Sequence, residues 1–296
     1  MVKSAIKTCI TFSLLFFNSV ISCIRVVLFS RFYLEINKIK ITDGRKCYIL
    51  GNGPTLKENM QNNLLFLKTQ ELFVVNDFAK SEYYSILKPN FYVLLDPGNY
   101  SNDSPKEILD YGISVLNAIR DNTHWPIFLI VPEQAAKSLT FKNIFSNNCN
   151  VKILTINRTL VTGLKNLSFF LYRYFLGIPP MQNVLNLCVL VAINMKYSEV
   201  NIIGADHSWT KDLIVNDSNI VCMSNYHFTD NDKLEPTPIP MVNGEYFKMH
   251  EILRAFAQMF EGYQILRKYA EYNNVKIFNR TPNSFIDAFE KKNIQA

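Results

Sequence analysis

Apolar residues recur along this chain with different spacings in different places, and the spacing divides it into an apolar N-terminal segment and a longer alternating part. Residues 8–24, TCITFSLLFFNSVISCI, carry no charge, and after Arg25 the apolar run resumes as VVLF. Beyond a basic linker at 41–46, short apolar runs suited to buried strands occur at 47–50, 71–76, 91–95, 126–131, 151–155, 200–203 and 275–278. Helical spacing is clearest over 183–197 and 251–272. Strands alternating with helices predict an α/β fold with a mostly parallel sheet and helices on both of its faces. The Asx- and Pro-rich stretch 209–245 shows no period, and so long an irregular stretch predicts a lid over a site. The expected organisation is therefore an anchor and linker at 1–40 and an α/β domain at 41–296 with its lid at 209–245.

The uncharged run of seventeen residues would be about 25 Å long as a helix, short of the roughly 30 Å hydrocarbon core of a bilayer. Lys7 and Arg25 stand at its ends, where their stems can lie in the apolar layer with the charges at the headgroups. An N-terminal anchor helix, lying in the membrane surface or crossing it once, is the expectation. The competing readings are an export signal, which lacks a small-x-small cleavage site here, and a first helix packed on the protein's own core.

Composition narrows the class. With 48% hydrophobic and 19% charged residues, only 10 Gly and 12 Pro among 296, and no internal repeat, disordered, collagen-like and solenoid proteins are excluded. The net charge of +6 belongs wholly to residues 1–46, where eight Lys/Arg face Glu35 and Asp43; beyond them 23 basic and 23 acidic residues cancel. A nucleic-acid-binding face is therefore not expected, whereas attraction of the N-terminus to an anionic membrane is, at the cytoplasmic face of the inner membrane. The six Cys are scattered without CxxC or other metal-ligand spacing, which fits a reducing compartment and buried apolar roles.

Four motifs can carry chemistry. GNGPTL follows the first strand, and its residues Gly51, Asn52, Gly53, Pro54 and Thr55 form a turn whose backbone N–H groups could approach a phosphate at the next helix N-terminus. It is neither GxGxxG nor a P-loop. Asn76 and Asp77 end the second strand and Asp96 the third, each a turn former alone but together three polar strand ends on one edge of a parallel sheet. GADHSW follows the strand at 200–203 and gathers a carboxylate (Asp206), an imidazole (His207), a hydroxyl (Ser208) and a stacking surface (Trp209). No GxSxG elbow accompanies Ser208, and His124, His227 and His250 have no metal-binding spacing. Asp230-Asn231-Asp232 has the form of a metal-binding DxD but lies in a polar loop, and no metal or cofactor is expected.

The order GNGPTL, VVNDF, LLDP, GADHSW and finally NRTPNS resembles the bacterial sialyltransferases of glycosyltransferase family 42 and related surface-polysaccharide transferases, over roughly 47–289. The resemblance implies a single Rossmann-like nucleotide-binding domain with a mostly parallel sheet and a lid, and inverting, metal-independent transfer of a sugar from a CMP-activated donor to a cell-surface or lipid-linked glycan acceptor. It implies that Asn52 to Thr55 face the donor phosphate and ribose and that Asn76 and Asp96 hold the nucleotide. Asp206 matches the family's Asp after that strand, while the Tyr that contacts the donor phosphate falls on Ser208. The Ser/Thr-rich start of the family's nucleotide-binding helix is replaced by Gln182-Asn183. The family's catalytic His after the lid points to His250, with His207 as the other candidate base; Thr55, Ser208 or a lid tyrosine, Tyr226, would assist the leaving phosphate. GNGP followed by GADHSW also looks like archaeal enzymes that transfer diphosphate from ATP to a hydroxymethylpterin. A membrane-tethered nucleotide-binding scaffold is the non-enzymatic alternative. A homo-oligomer is compatible with the sequence.

Overall fold

The computed structural model describes residues 2–39, 44–101, 104–224, 228–229, 235–241 and 244–294. The chain opens with α1 (Val2–Phe29) and enters the domain through β1 (Lys46–Leu50), α2 (Leu56–Leu67), β2 (Glu71–Val75), α3 (Tyr83–Leu87) and β3 (Phe91–Val93). It continues through α4 (Lys106–Asn122), β4 (Ile127–Pro132), α5 (Glu133–Lys137), α6 (Leu139–Phe145), β5 (Val151–Ile156), α7 (Lys165–Arg173), α8 (Val184–Asn194) and β6 (Glu199–Ile203). Three short strands, β7 (Leu213–Val215), β8 (Val221–Met223) and β9 (Thr237–Pro238), precede α9 (Met249–Tyr272), β10 (Lys276–Asn279) and β11 (Glu290–Lys291).

Eight strands form one parallel sheet in the order β11-β10-β6-β1-β2-β3-β4-β5. From β1 the chain builds outwards through β5, then crosses back to lay β6 on the other flank of β1. Leu50 is thus paired with Val74 on one side and Ile203 on the other. The α/β class, the parallel sheet and the N-terminal apolar helix all stand as the periodicity predicts.

The period of two sorts the sheet's side chains onto two cores. Cys47, Ile49, Phe73, Val75, Val200 and Ile202 face one core, where α8 and α9 pack. Tyr48, Leu50, Leu72 and Val74 face the other, covered by α2 and α4. α8 reads VLNLCVLVAIN, and all of Val184 to Ile193 is buried, because the sheet takes one side of the helix and α9 the other. At Gly262 of α9 an added Cβ would lie 2.5 Å from the Pro180 carbonyl oxygen, so glycine sets how closely α9 approaches the segment leading into α8.

Three expectations need correcting. The stretch 209–245 is not wholly irregular: β7, β8 and β9 pair as a small antiparallel sheet, with strands of two or three residues, too short to imprint a period. The N-terminal helix runs to Phe29, straight through Arg25, since one charge does not break a run of helix-compatible residues. Of the six cysteines, all unpaired, Cys47, Cys188 and Cys222 are buried as expected, but Cys9 and Cys23 lie exposed on α1 and Cys149 is exposed before β5. Lys7–Phe29 is, among the described residues, the one helix long and apolar enough to cross a membrane.

Leu190, fully buried in α8, tests the two-sided packing. Leu190→Ala should lower the unfolding free energy by about 2–5 kcal/mol, read from the urea midpoint of the detergent-solubilised chain. A loss of only a few tenths would mean that α8 is not held between sheet and α9.

Candidate functional site

The strand order reverses between β1 and β6, and the turns leaving these strands lie backbone against backbone. Gly51 N–H donates to the Ile203 carbonyl at 2.8 Å and Gly53 N–H to the Gly204 carbonyl at 2.9 Å. Neither turn has room for side chains there. A Cβ on Gly51 would stand 2.5 Å from the Gly204 carbonyl oxygen, and one on Gly53 would stand 2.1 Å from Asp206 Oδ2. Gly204 itself has φ +68°, and a Cβ on it would lie 2.6 Å from the Gly51 carbonyl oxygen.

At this reversal, beyond the carboxyl ends of the strands, lies a cavity of about 200 Å³. In open α/β sheets that is where ligands bind. Its wall is built from Asn52, Gly53 and Pro54 after β1, Asn76 after β2, the first turn of α8, and Gly204 with Asp206 to Trp209 after β6. Val75, Asp212 and Ser224 complete it; the last two come from the stretch predicted as a lid and carried no signal in the sequence.

Asn52 is the best-placed polar group. Its Nδ2 donates to Asp77 Oδ1 at 2.5 Å and to the Val75 carbonyl at 3.3 Å, while its buried Oδ1 has no partner among the described residues. Asp77 also accepts from the Tyr111 hydroxyl at 2.8 Å, so its role is to hold Asn52 rather than to line the cavity. Asn76 sits at φ 51°, a conformation asparagine tolerates, with its carbonyl accepting from the buried Tyr92 hydroxyl at 2.6 Å. Asn183 is the N-cap of α8, its side chain accepting from Leu185 N–H at 2.7 Å, and it brings the positive end of that helix to the cavity.

Asp206 departs from the expected arrangement at the first turn. Its Oδ2 accepts from the Thr55 hydroxyl at 2.9 Å and from Thr55 N–H at 3.4 Å, so a carboxylate of the protein occupies the N-terminus of α2. Thr55 therefore faces Asp206 instead of the cavity. Burial raises the Asp206 pKa, and the Thr55 hydrogen bonds oppose that rise.

His207 is buried, at φ 54°. Its Nε2 shares a hydrogen bond of 2.9 Å with the Tyr263 hydroxyl of α9, and its ring stacks on Trp209 with centroids 4.6 Å apart. Trp209 stacks in turn on Phe256. Burial pushes the His207 pKa down to about 3, so at neutral pH the imidazole is uncharged and a poor proton acceptor. This weighs against His207 as the base.

The remaining candidates fall elsewhere. Asp96 is exposed and caps the turn at 97–99 by accepting from Gly98 N–H at 2.9 Å; it is not part of the cavity wall. His250 is exposed on the first turn of α9, also outside the wall. Tyr226, His227 and Asp230-Asn231-Asp232 lie outside the described residues. Among the described residues, no three His, Cys, Asp or Glu side chains converge as a metal site.

No protein-family model and no curated protein matches the chain. Among solved structures it is similar to the MAf glycosyltransferase from Magnetospirillum magneticum AMB-1, at 13% identity and a TM-score of 0.48, over 86% of this chain and 34% of that one. This chain thus spans about a third of that protein, and a likeness at this level carries no argument about activity.

Two measurements test the geometry. Gly204→Ala forces a side chain into a left-handed conformation, which alone costs about 1–2 kcal/mol, and into the Gly51 carbonyl; urea unfolding should show a loss of at least that size. Acidification tests His207. Because its folded pKa lies below the 6.5 of a free histidine, the unfolded chain binds the extra proton between pH 6.5 and about 3. Stability should fall with decreasing pH in that window, by up to about 1.4 kcal/mol per pH unit from this group. His207→Asn, which tolerates the positive φ and does not titrate, should flatten the slope; an unchanged slope would show that His207 is not buried as a neutral ring.

Proposed function

We propose that the chain is a membrane-associated, inverting and metal-independent glycosyltransferase that moves a sialic acid-like or other sugar from a CMP-activated donor to a lipid-linked or cell-surface glycan. The observation that carries the reading is the cavity at the β1–β6 reversal, where the buried Asn52 Oδ1 waits for a donor group and the first turn of α8 presents its positive end. The motif order from GNGPTL to TPNS supports the class of donor.

In this reading the nucleotide lies across the ends of β1, β2 and β6. Asn52 accepts from a ribose hydroxyl or base amine, and Asn76 lines the same wall. The donor phosphate lies towards α8, with the Ser208 hydroxyl available to it. His250 is the general base. It takes the proton from the acceptor hydroxyl as that oxygen bonds to the anomeric carbon, while the bond from that carbon to the phosphate oxygen breaks and CMP departs. His207 is left a positioning role, with Tyr263 and Trp209, because burial makes its ring a weak base and its Nε2 is already hydrogen-bonded to Tyr263. The acceptor hydroxyl would then lie between the cavity and the head of α9, with the 209–245 segment that leads into α9 covering the donor and keeping water from it. α1 keeps the enzyme at the cytoplasmic face of the inner membrane, where a lipid-linked acceptor is available.

The test is thermal unfolding of the full chain in detergent with CMP, CDP, UDP, GDP, ADP or ATP, with and without magnesium. A ligand at a hundred times its Kd adds about 2.7 kcal/mol, so CMP without metal should raise Tm by several degrees. A magnesium-dependent shift with ATP alone would replace this reading with diphosphate transfer, and no shift at all would favour the scaffold. His250→Ala should keep the CMP shift and lower sugar transfer by about 10²–10⁴-fold; an undiminished rate would remove His250 from the mechanism.

A further inference from the structure

We infer that α1 is a monotopic anchor: it lies along the membrane surface, pinned to the domain by one serine-lined stripe and presenting the opposite face to lipid, and it does not cross the bilayer. The inference does not depend on the reaction catalysed.

The pinning is specific. Ser22 Oγ donates to the Thr162 carbonyl at 2.8 Å and accepts from Thr162 N–H at 2.9 Å. Ser19 Oγ donates to the Leu15 carbonyl of its own helix at 2.8 Å and accepts from Leu164 N–H at 2.8 Å. Gly163 lies between these partners at φ +119°, where a Cβ would stand 2.3 Å from Ser19 Oγ and 2.8 Å from the Leu15 carbonyl oxygen. Val26 is buried one turn further on, and Ser30 Oγ lies 2.7 Å from Thr159 Oγ1 and 2.6 Å from the Leu176 carbonyl. The buried Asn157 closes the series by accepting from Arg31 N–H and donating to the Arg31 and Phe175 carbonyls, all at 2.9 Å.

Seams of this kind and a span exclude each other. Lys7–Phe29 would measure about 34 Å as a helix, but from Leu15 onwards it is held on the loop 157–164. The free part of α1, Val2 to Leu14, is about 20 Å long, of which the apolar stretch from Lys7 is about 12 Å, and both fall short of the roughly 30 Å hydrocarbon core. Carrying the rest through the bilayer would take irregular, hydrogen-bonded backbone with it, which hydrocarbon does not accept at a lipid-exposed position.

The sides of the helix match a surface orientation. Of the exposed apolar side chains, Ile10, Phe17, Ile24 and Leu28 fall opposite the serine stripe at 100° per residue, with Phe16, Val20 and Val27 beside them; Phe12 and Leu14, on the undocked turns, and Phe29, at the last residue, lie off that face. Lys7, Thr11, Asn18 and Arg25 follow one another at spacings of four, seven and seven, so they form a polar flank beside the docked stripe. In a spanning helix Asn18 and Arg25 would enter the hydrocarbon; in a surface helix the flank lies at the headgroups, where Lys7 and Arg25 meet anionic lipid. Leu160 on the docking loop and Phe170 on α7 are exposed apolar side chains of the domain as well.

The experiment is protease access in a bacterial host expressing the full chain with an epitope tag before Met1. Spheroplasts expose one side of the inner membrane and inverted vesicles the other. A surface helix places tag and domain on the same side, so both should be cut in one preparation and protected in the other. Tag and domain cut in opposite preparations would overturn the inference. A second arm replaces Val20 and Ile24 with Asp. Both side chains are exposed, so the thermal unfolding of the detergent-solubilised protein should not move, while most of the protein should shift from the membrane to the soluble fraction. Retention of the V20D/I24D variant in the membrane fraction would overturn the inference equally.

Discussion

Everything at the site depends on how closely the turn after β1 can approach the turn after β6. Two backbone hydrogen bonds, Gly51 to Ile203 and Gly53 to Gly204, pull the turns together where the winding of the sheet reverses. Three glycines make the approach feasible, since a Cβ on any of them would stand within 2.6 Å of an oxygen across the gap. The approach brings Asp206 to the N-terminus of α2 and leaves the opening on the far side of the turns, facing α8. Replacing that backbone contact with side chains would separate the strand ends and the cavity wall together.

The second constraint is layering. Because α8 is buried on all sides, α9 must cover it, and α9 in turn supplies Tyr263 to His207 and Phe256 to Trp209. The GADHSW turn is thereby fastened to a helix remote from it in sequence. The same fastening deprives His207 of solvent, so its neutral form follows from packing rather than from a charged neighbour; desolvation is the sole cause of its lowered pKa. A histidine that a motif places beside a cavity can thus be a wall residue kept neutral by its packing.

These two constraints were legible to different degrees. The strands were visible because a buried parallel strand is a short unbroken apolar run, and the observed β1, β2, β4, β5, β6 and β10 begin and end within a residue of the predicted runs, while β3 stops two residues short of its own. GNGPTL and GADHSW were visible because glycine and Asx residues directly after a strand have few other uses. What could not be read was pairing across long separations. Nothing in GADHSW says that Asp206 will take Thr55, 151 residues away, or that His207 will face Tyr263. Asp212 and Ser224 reach the cavity because a three-stranded sheet folds within the presumed lid, and strands of two or three residues leave no period to find. The serines of α1 read as neutral interruptions of an apolar run until the loop at 157–164 is placed against them.

That loop joins anchor and site. It leaves the carboxyl end of β5, so α1 docks on the same edge of the sheet that carries the cavity at β1 and β6. Four strand spacings separate β5 from β1, about 19 Å at the usual inter-strand distance. A helix lying on the membrane, as proposed, and fixed to that edge would leave little freedom for the domain to turn, because Ser19, Ser22, Ser30 and Arg31 make their contacts along about three turns of helix and the chain just after it rather than at a single point. A tether entering the domain through the 41–46 linker alone would let the cavity face any direction. In the surface orientation proposed for α1, the serine seam would remove that freedom and hold the cavity edge, and not merely the chain, at the bilayer, which is the placement the proposed lipid-linked acceptor would require.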